Sequence, residues 1–89
     1  MPALSVIAPA YNQESTITGS ITEIARRLDA LGLDYELIVV SDGSTDATLD
    51  RLREFGHPRV RVTGYTRNLG KGYALRTGSA LATGDLVAW

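Results

Sequence analysis

The 89-residue chain contains no cysteine, which excludes a disulfide framework or a thiolate metal site but does not identify a compartment. It carries no excess of either charge. The formal net charge is -1, and Lys and Arg are scattered, so nothing draws the chain to nucleic acid. No apolar stretch approaches the ~20 residues that span a bilayer. The opening Met1–Ala8 has no basic region before its short apolar run, so it does not read as a signal peptide. The one histidine, His57, precedes Pro58 in a turn and is expected to be solvent-exposed. No metal-ligand set and no nucleophile–base pair can be assembled, and there is no internal repeat, low-complexity tract or linker. What remains is 44% apolar and 21% charged, one small domain near the lower limit for burying its own core.

Leu4–Ala8 and Tyr35–Val40 are near-continuous apolar runs of the kind that form parallel strands covered on both faces. Between them Ile17, Ile21, Ile24, Leu28 and Leu31 recur at helical spacing, while Thr18, Glu23, Arg26 and Asp29 fall elsewhere on the wheel. Ser15 is the expected N-cap and Gly32 the expected stop; Gly19 loosens the first turn. A second helix is expected from Ser44 or Thr45, with Leu49, Leu52 and Phe55 buried, ending at Gly56 and Pro58. Arg59–Thr63 alternates charged and apolar residues, which marks a strand with one wet face at a sheet edge. A third helix from about Lys71 to Ala82 presents Ala74, Gly78 and Ala82 for close approach to the sheet, and Leu86–Trp89 begins a fourth strand. The alternation predicts an α/β fold of three layers, α/β/α, with a parallel sheet in the order 3-2-1-4. Ligand binding is then expected at the strands' carboxyl ends, where the order reverses between strands one and four.

Three loops reach that face. Pro9-Ala10-Tyr11-Asn12-Gln13-Glu14 offers an aromatic face for stacking with hydrogen-bonding groups beside it, although an ordinary strand-to-helix turn also favours Pro and Asn. In Ser41-Asp42-Gly43-Ser44-Thr45-Asp46, Asp46 suits the first turn of a helix, where its charge complements the dipole. Asp42 precedes the helix, has no such capping role, and is placed to accept from a base or ribose. In Arg67-Asn68-Leu69-Gly70-Lys71-Gly72, glycines flank a lysine at a helix start, which suits a phosphate contact or a plain glycine-rich loop with a solvated lysine. Gly64 is one residue too far from Gly70 for a Walker A loop, and Leu75 stands where a dinucleotide fingerprint needs its third glycine.

Taken together, a strand then Pro9-Ala10-Tyr11-Asn12, a strand then Ser41-Asp42-Gly43-Ser44-Thr45-Asp46, Asn68-Leu69-Gly70-Lys71-Gly72 and Thr83-Gly84-Asp85 resemble the start of a family 2 glycosyltransferase. The resemblance covers the whole chain in order and spacing. Its nearest likeness is to the polyprenyl-phosphate (dolichol-phosphate) sugar synthases, through the Gly-Lys-Gly of the third loop. It implies a GT-A fold with a Rossmann-like nucleotide-binding half. It also implies transfer of a sugar from a nucleotide-diphosphate donor, with Mg or Mn, to an acceptor such as a polyprenyl phosphate. By position, Pro9 and Tyr11 would line the base pocket, Asp42 would bind base or ribose, and Lys71 would lie near the nucleotide. Either Gln13 or Glu14 would make the contact that the family gives to Glu. Ser41 departs from the family's usual Asp, but Asp42 holds the position to which the nucleotide contact belongs.

In the family an Asp-x-Asp motif for the metal and diphosphate would follow Trp89. Residues 1–89 are therefore expected to be the nucleotide-sugar-binding part of a longer, cytoplasmic enzyme. The metal ligands, the general base and any membrane anchor would lie further on, and this segment alone would be inactive. Two other readings stand beside it: a nucleotide-binding module of another class, such as a nucleotidyltransferase-like domain, and a purely structural α/β interaction domain.

Overall fold

Strand β2 (Tyr35–Asp42) is buried along its whole length, as a near-unbroken apolar run at the middle of a sheet must be. It lies parallel to β1 (Leu4–Ala10) on one side and β3 (Val60–Tyr65) on the other, and β1 pairs in parallel with β4 (Leu86–Ala88). The computed structural model describes residues 2–89 and gives the sheet order β3-β2-β1-β4, as the alternation predicts. Helices α1 (Ile17–Ala30), α2 (Thr48–Phe55) and α3 (Lys71–Leu81) form the crossovers.

The handedness rule explains the layers. Steps from β1 to β2 to β3 run in one direction across the sheet, so right-handed crossovers put α1 and α2 on the same face. The step from β3 back to β4 runs the other way and puts α3 on the opposite face. Two cores result. Ile17, Ile21 and Leu52 pack with Leu37 and Val39 on one face, and Ala74 packs with Ile7, Ile38 and Val40 on the other. The expected small face of α3 is present: Ala74 is fully buried, and a Cβ on Gly78 would collide with Ile7.

Several boundaries differ from expectation. Helix α1 begins without a side-chain cap at Ser15; Thr16 holds the N-cap position, and the Thr16 and Ile17 N–H groups both donate to the Gln13 carbonyl. Leu31 falls past the helix end and is 69% exposed. Helix α2 starts at Thr48 rather than Ser44 or Thr45, because the intervening backbone N–H groups serve the first loop instead. Nor is His57 simply solvated: its Nδ1 accepts from the Arg59 N–H, and its ring stacks on Phe55.

At the amino end of β2 the structure holds a polar network that the sequence pattern did not single out. Glu36 is buried beside its β1 neighbour Ser5, whose hydroxyl donates to Glu36 Oε2 at 2.6 Å. The Thr83 N–H and hydroxyl donate to the same oxygen at 2.7 and 2.9 Å, and Arg61 donates to Oε1 at 3.1 Å. The Gly84 N–H donates to Ser5 Oγ at 2.8 Å. One carboxylate thus ties the turn after α3 to three strands.

Candidate functional site

The site is built where β1 and β2 end. Pro9 and Ala10 close β1, and the chain then turns out at Tyr11, which is 46% exposed. Asn12 follows at φ +48°, a left-handed conformation that Asn tolerates better than most residues. It is held on both sides. Its N–H donates to Ser44 Oγ at 3.2 Å, and its Oδ1 accepts from the Thr45 N–H at 2.8 Å. The Gln13 N–H donates to Thr48 Oγ1 at 2.8 Å, and the Glu14 N–H donates to Asp46 Oδ2 at 3.2 Å. Glu14 returns a bond, accepting from the Ala47 N–H at 3.0 Å, with Arg51 beyond it at 3.9 Å. The first loop is therefore clasped to the start of α2, and Asp46 both accepts from the Thr48 N–H just ahead of the helix and anchors the loop.

Asp42 has a structural role that its position in the sequence did not reveal. It is 5% exposed, and its carboxylate gathers the third loop. Oδ1 accepts from the Tyr65 hydroxyl at 2.7 Å and the Leu69 N–H at 3.0 Å; Oδ2 accepts from the Gly70 N–H at 3.1 Å. The strand register places Asp42 and Tyr65 side by side, so this pair belongs to the sheet rather than to a mobile loop. Burial alone would push the Asp42 carboxyl up. The Leu69 N–H, the Tyr65 hydroxyl and the Gly70 N–H outweigh burial and hold it below the usual carboxylate range. Burial and the neighbouring carboxylate both push the Tyr65 phenol upward, so the shared proton stays on Tyr65. Gly43 makes the close approach practicable. It sits at φ +66°, and a Cβ there would overlap the backbone of Arg67 and Asn68.

Pro9, Ala10, Tyr11, Gln13, Asp42 and Lys71 together line a cleft of about 400 Å³, within the range of small-molecule sites. The structure thus brings together five of the six residues singled out in the sequence. Glu14 is not among the lining residues; its carboxylate is turned to the start of α2. Lys71 is the first residue of α3, so the positive end of that helix lies at the cleft rim. The cleft sits over the carboxyl ends of β1 and β2, on the face of the sheet where ligand binding is expected.

A parallel sheet in this order, with a cleft at its carboxyl ends, has many possible owners; the sequence match decides among them. The model of glycosyl transferase family 2 matches residues 5–89. The chain belongs to that family. This family 2 chain is 41% identical to the dolichyl-phosphate beta-glucosyltransferase of Drosophila melanogaster, covering 91% of this chain and 28% of that protein. Its fold matches the mannosyltransferase PcManGT of Pyrobaculum calidifontis in complex with GDP-Man and Mn2+. That match has a TM-score of 0.80 at 31% identity, covering 97% of this chain and 26% of the other. It also matches glucosyl-3-phosphoglycerate synthase of Mycobacterium tuberculosis in complex with Mn2+, UDP-Glc and phosphoglyceric acid. Here the TM-score is 0.72 at 38% identity, covering 97% of this chain and 31% of the other. The chain spans 26% to 29% of the length of such curated relatives. The expected family and GT-A fold are both borne out.

Both of those solved neighbours are described with Mn2+. Among the described residues of this family 2 chain, no three His, Asp or Glu side chains converge to hold a cation. Asp42, the carboxylate nearest the cleft, is directed to N–H and O–H donors. These residues do not fit a metal site. No helix among the described residues is long and apolar enough to cross a membrane. Sequence reasoning missed Tyr65, Asn12 as a loop clasp, and the backbone of Leu69 and Gly70. Only the register of β3 against β2 brings Tyr65 to Asp42, and the sole advance signal was a tyrosine at the end of the edge strand.

Proposed function

We propose that this chain is the donor-binding part of a glycosyltransferase that takes its sugar from a nucleoside diphosphate. The observation that carries the reading is the cleft at the ends of β1 and β2, with an aromatic face, a buried carboxylate and a lysine at its wall. In this reading Tyr11 stacks on the base, with Pro9 and Gln13 beside it, and Asp42 accepts a hydrogen bond from the base or ribose. Lys71 and the start of α3 draw the negatively charged diphosphate. Glu14 acts one step back, by fixing the loop that carries Tyr11 and Gln13.

The names of the relatives support an acceptor of polyprenyl-phosphate type, among them the Drosophila protein and the dodecaprenyl-phosphate galacturonate synthase of Rhizobium johnstonii. The Mn2+ named in the solved neighbours supports Mg or Mn as cofactor, with its ligands outside residues 2–89 of the full-length parent. We place the parent in the cytoplasm, at a membrane face where such an acceptor is met. The segment 1–89 then supplies nucleotide binding and not the chemistry.

Calorimetry on the full-length parent tests this. A nucleoside diphosphate sugar should bind with Mg2+ or Mn2+. Asp42→Ala should weaken binding by about 10-fold or more, the scale of a hydrogen bond to a charged group. No binding of any such donor, or an unaffected Asp42→Ala protein, would sink the proposal. Transfer of labelled sugar to a polyprenyl phosphate tests the acceptor separately.

A further inference from the structure

We propose that Ser41 and Asn12 are positioning residues that together aim the Tyr11 ring into the cleft. The inference rests on the reading above that Tyr11 stacks on the base, and asks what holds that ring in place.

A ring that is 46% exposed is not fixed by close packing, so its aim comes from the backbone on either side. Ser41 reaches both sides. Its backbone lies opposite Ala10, the residue before Tyr11, in the last rung of the β1–β2 ladder. Along β2 successive side chains turn to opposite faces. Asp42 turns to the third loop, and Ser41 turns to the face it shares with Leu37 and Val39. There its buried hydroxyl donates to Ser44 Oγ at 2.9 Å. The same Ser44 oxygen accepts the N–H of Asn12, the residue after Tyr11. One serine at the end of an interior strand thus holds both neighbours of the ring.

Asn12 supplies the second half. Among the described residues it is the one non-glycine with a left-handed backbone, at φ +48°, and its Oδ1 accepts from the Thr45 N–H at 2.8 Å. Asparagine meets both demands, since it tolerates that conformation and carries a carbonyl acceptor. Glycine meets only the first, and alanine neither. The next cleft residue, Gln13, is held separately, through its N–H to Thr48 Oγ1. Loss of the Asn12 or Ser41 bonds therefore falls on Tyr11.

The test is calorimetry of the full-length parent with UDP and with GDP, each with Mn2+, continued with whichever binds more tightly. Tyr11→Ala should weaken binding by about 10-fold, the scale of a base stacked on an aromatic ring. Asn12→Gly and Ser41→Ala should each weaken it by about 2- to 10-fold, the net contribution of one hydrogen bond, with native far-UV spectra. Asn12→Asp keeps an acceptor oxygen and should restore most of the affinity. In a Tyr11→Ala background, Asn12→Gly and Ser41→Ala should each change affinity by less than about 2-fold, because they act through the ring. A merely structural role predicts instead that the losses add. Should Asn12→Gly fail to fold, Ser41→Ala, which removes a single hydroxyl, carries the cycle. Additive losses, or full affinity in folded Asn12→Gly or Ser41→Ala protein, overturn the positioning role and leave the nucleotide site standing. An unaffected Tyr11→Ala protein, or binding of neither nucleotide, overturns the stacking reading and the positioning role with it.

Discussion

Replacing Glu36 with glutamine should destabilise the protein at neutral pH and matter progressively less in acid. Burial alone would raise the Glu36 carboxyl. The Ser5 hydroxyl, the Thr83 N–H and hydroxyl, and Arg61 reverse this and bring it from the ordinary 4.5 down to about 2. A drop from 4.5 to about 2 corresponds to about 3.5 kcal/mol at about 1.4 kcal/mol per unit. That is a ceiling, because the Arg61 side chain is 45% exposed and its ion pair is screened to about 1 kcal/mol or less. The larger share comes from three donors converging on Oε2, where an amide offers either its NH2 or a weaker acceptor. The sign follows from the lowered pKa. The folded state holds the charged form more tightly than the unfolded chain does, so the stabilisation is complete above pH 4.5 and lost as pH falls toward 2. Urea unfolding of wild type and Glu36→Gln, followed by circular dichroism from pH 7 to pH 2.5, measures the difference directly. It should be about 2–3 kcal/mol at neutral pH and should shrink steadily below pH 4.5. A difference that stays constant across the range would refute the argument, since the effect would then owe nothing to the charge.

Two glycines give opposite predictions for the same substitution. Gly19→Ala lies on α1 with no atom near the added methyl, so it should raise stability by about 0.5–1 kcal/mol, read as a higher Tm. Gly78→Ala gains the same helix propensity but drives a methyl into Ile7, where overpacking costs about 1–3 kcal/mol, so its Tm should fall. Gly43→Ala combines a φ of +66° with collision against Arg67 and Asn68, and should cost about 2 kcal/mol or more by urea unfolding. Because the clash displaces the third loop, nucleotide affinity measured by calorimetry should fall with it. Glu14→Ala removes the acceptor for the Ala47 N–H at a half-exposed site and should cost only about 1 kcal/mol, with increased protease sensitivity in the first loop.

The parts of this fold that were legible depend on local pattern. Eight successive buried residues in β2 and the wet alternation of Arg59–Thr63 are enough to set an interior strand and an edge, and the crossover rule then orders the sheet. Most of the cleft was legible for the same reason, since loops at strand ends must gather on one face. What was hidden depends on side chains meeting backbone far away in sequence. Asn12 reaches Thr45, Glu36 reaches Thr83, and Asp42 reaches Tyr65, Leu69 and Gly70. Each such bond requires the register first. The start of α2 was misjudged for this reason: Ser44, Thr45 and Asp46 look like a helix opening, but they hold the first loop.

Strand β2 carries a buried carboxylate near each end, and that shared placement changes how substitutions at the site must be read. A charge can remain at the end of a buried strand only when donors compensate for its lost hydration. Glu36 meets this need with Ser5, Thr83 and Arg61, and Asp42 meets it with Tyr65 and the third loop. Removing Asp42 therefore does two things at once. It deletes the proposed acceptor for the base, and it releases Leu69 and Gly70, which precede Lys71 at the cleft rim. Lost binding in Asp42→Ala cannot distinguish these effects. Tyr65→Phe can, because it leaves the carboxylate and both amide bonds in place and removes a single donor. If Asp42 only anchors the loop, that change should weaken every nucleotide alike. If Asp42 also reads the base, it should alter the preference among them.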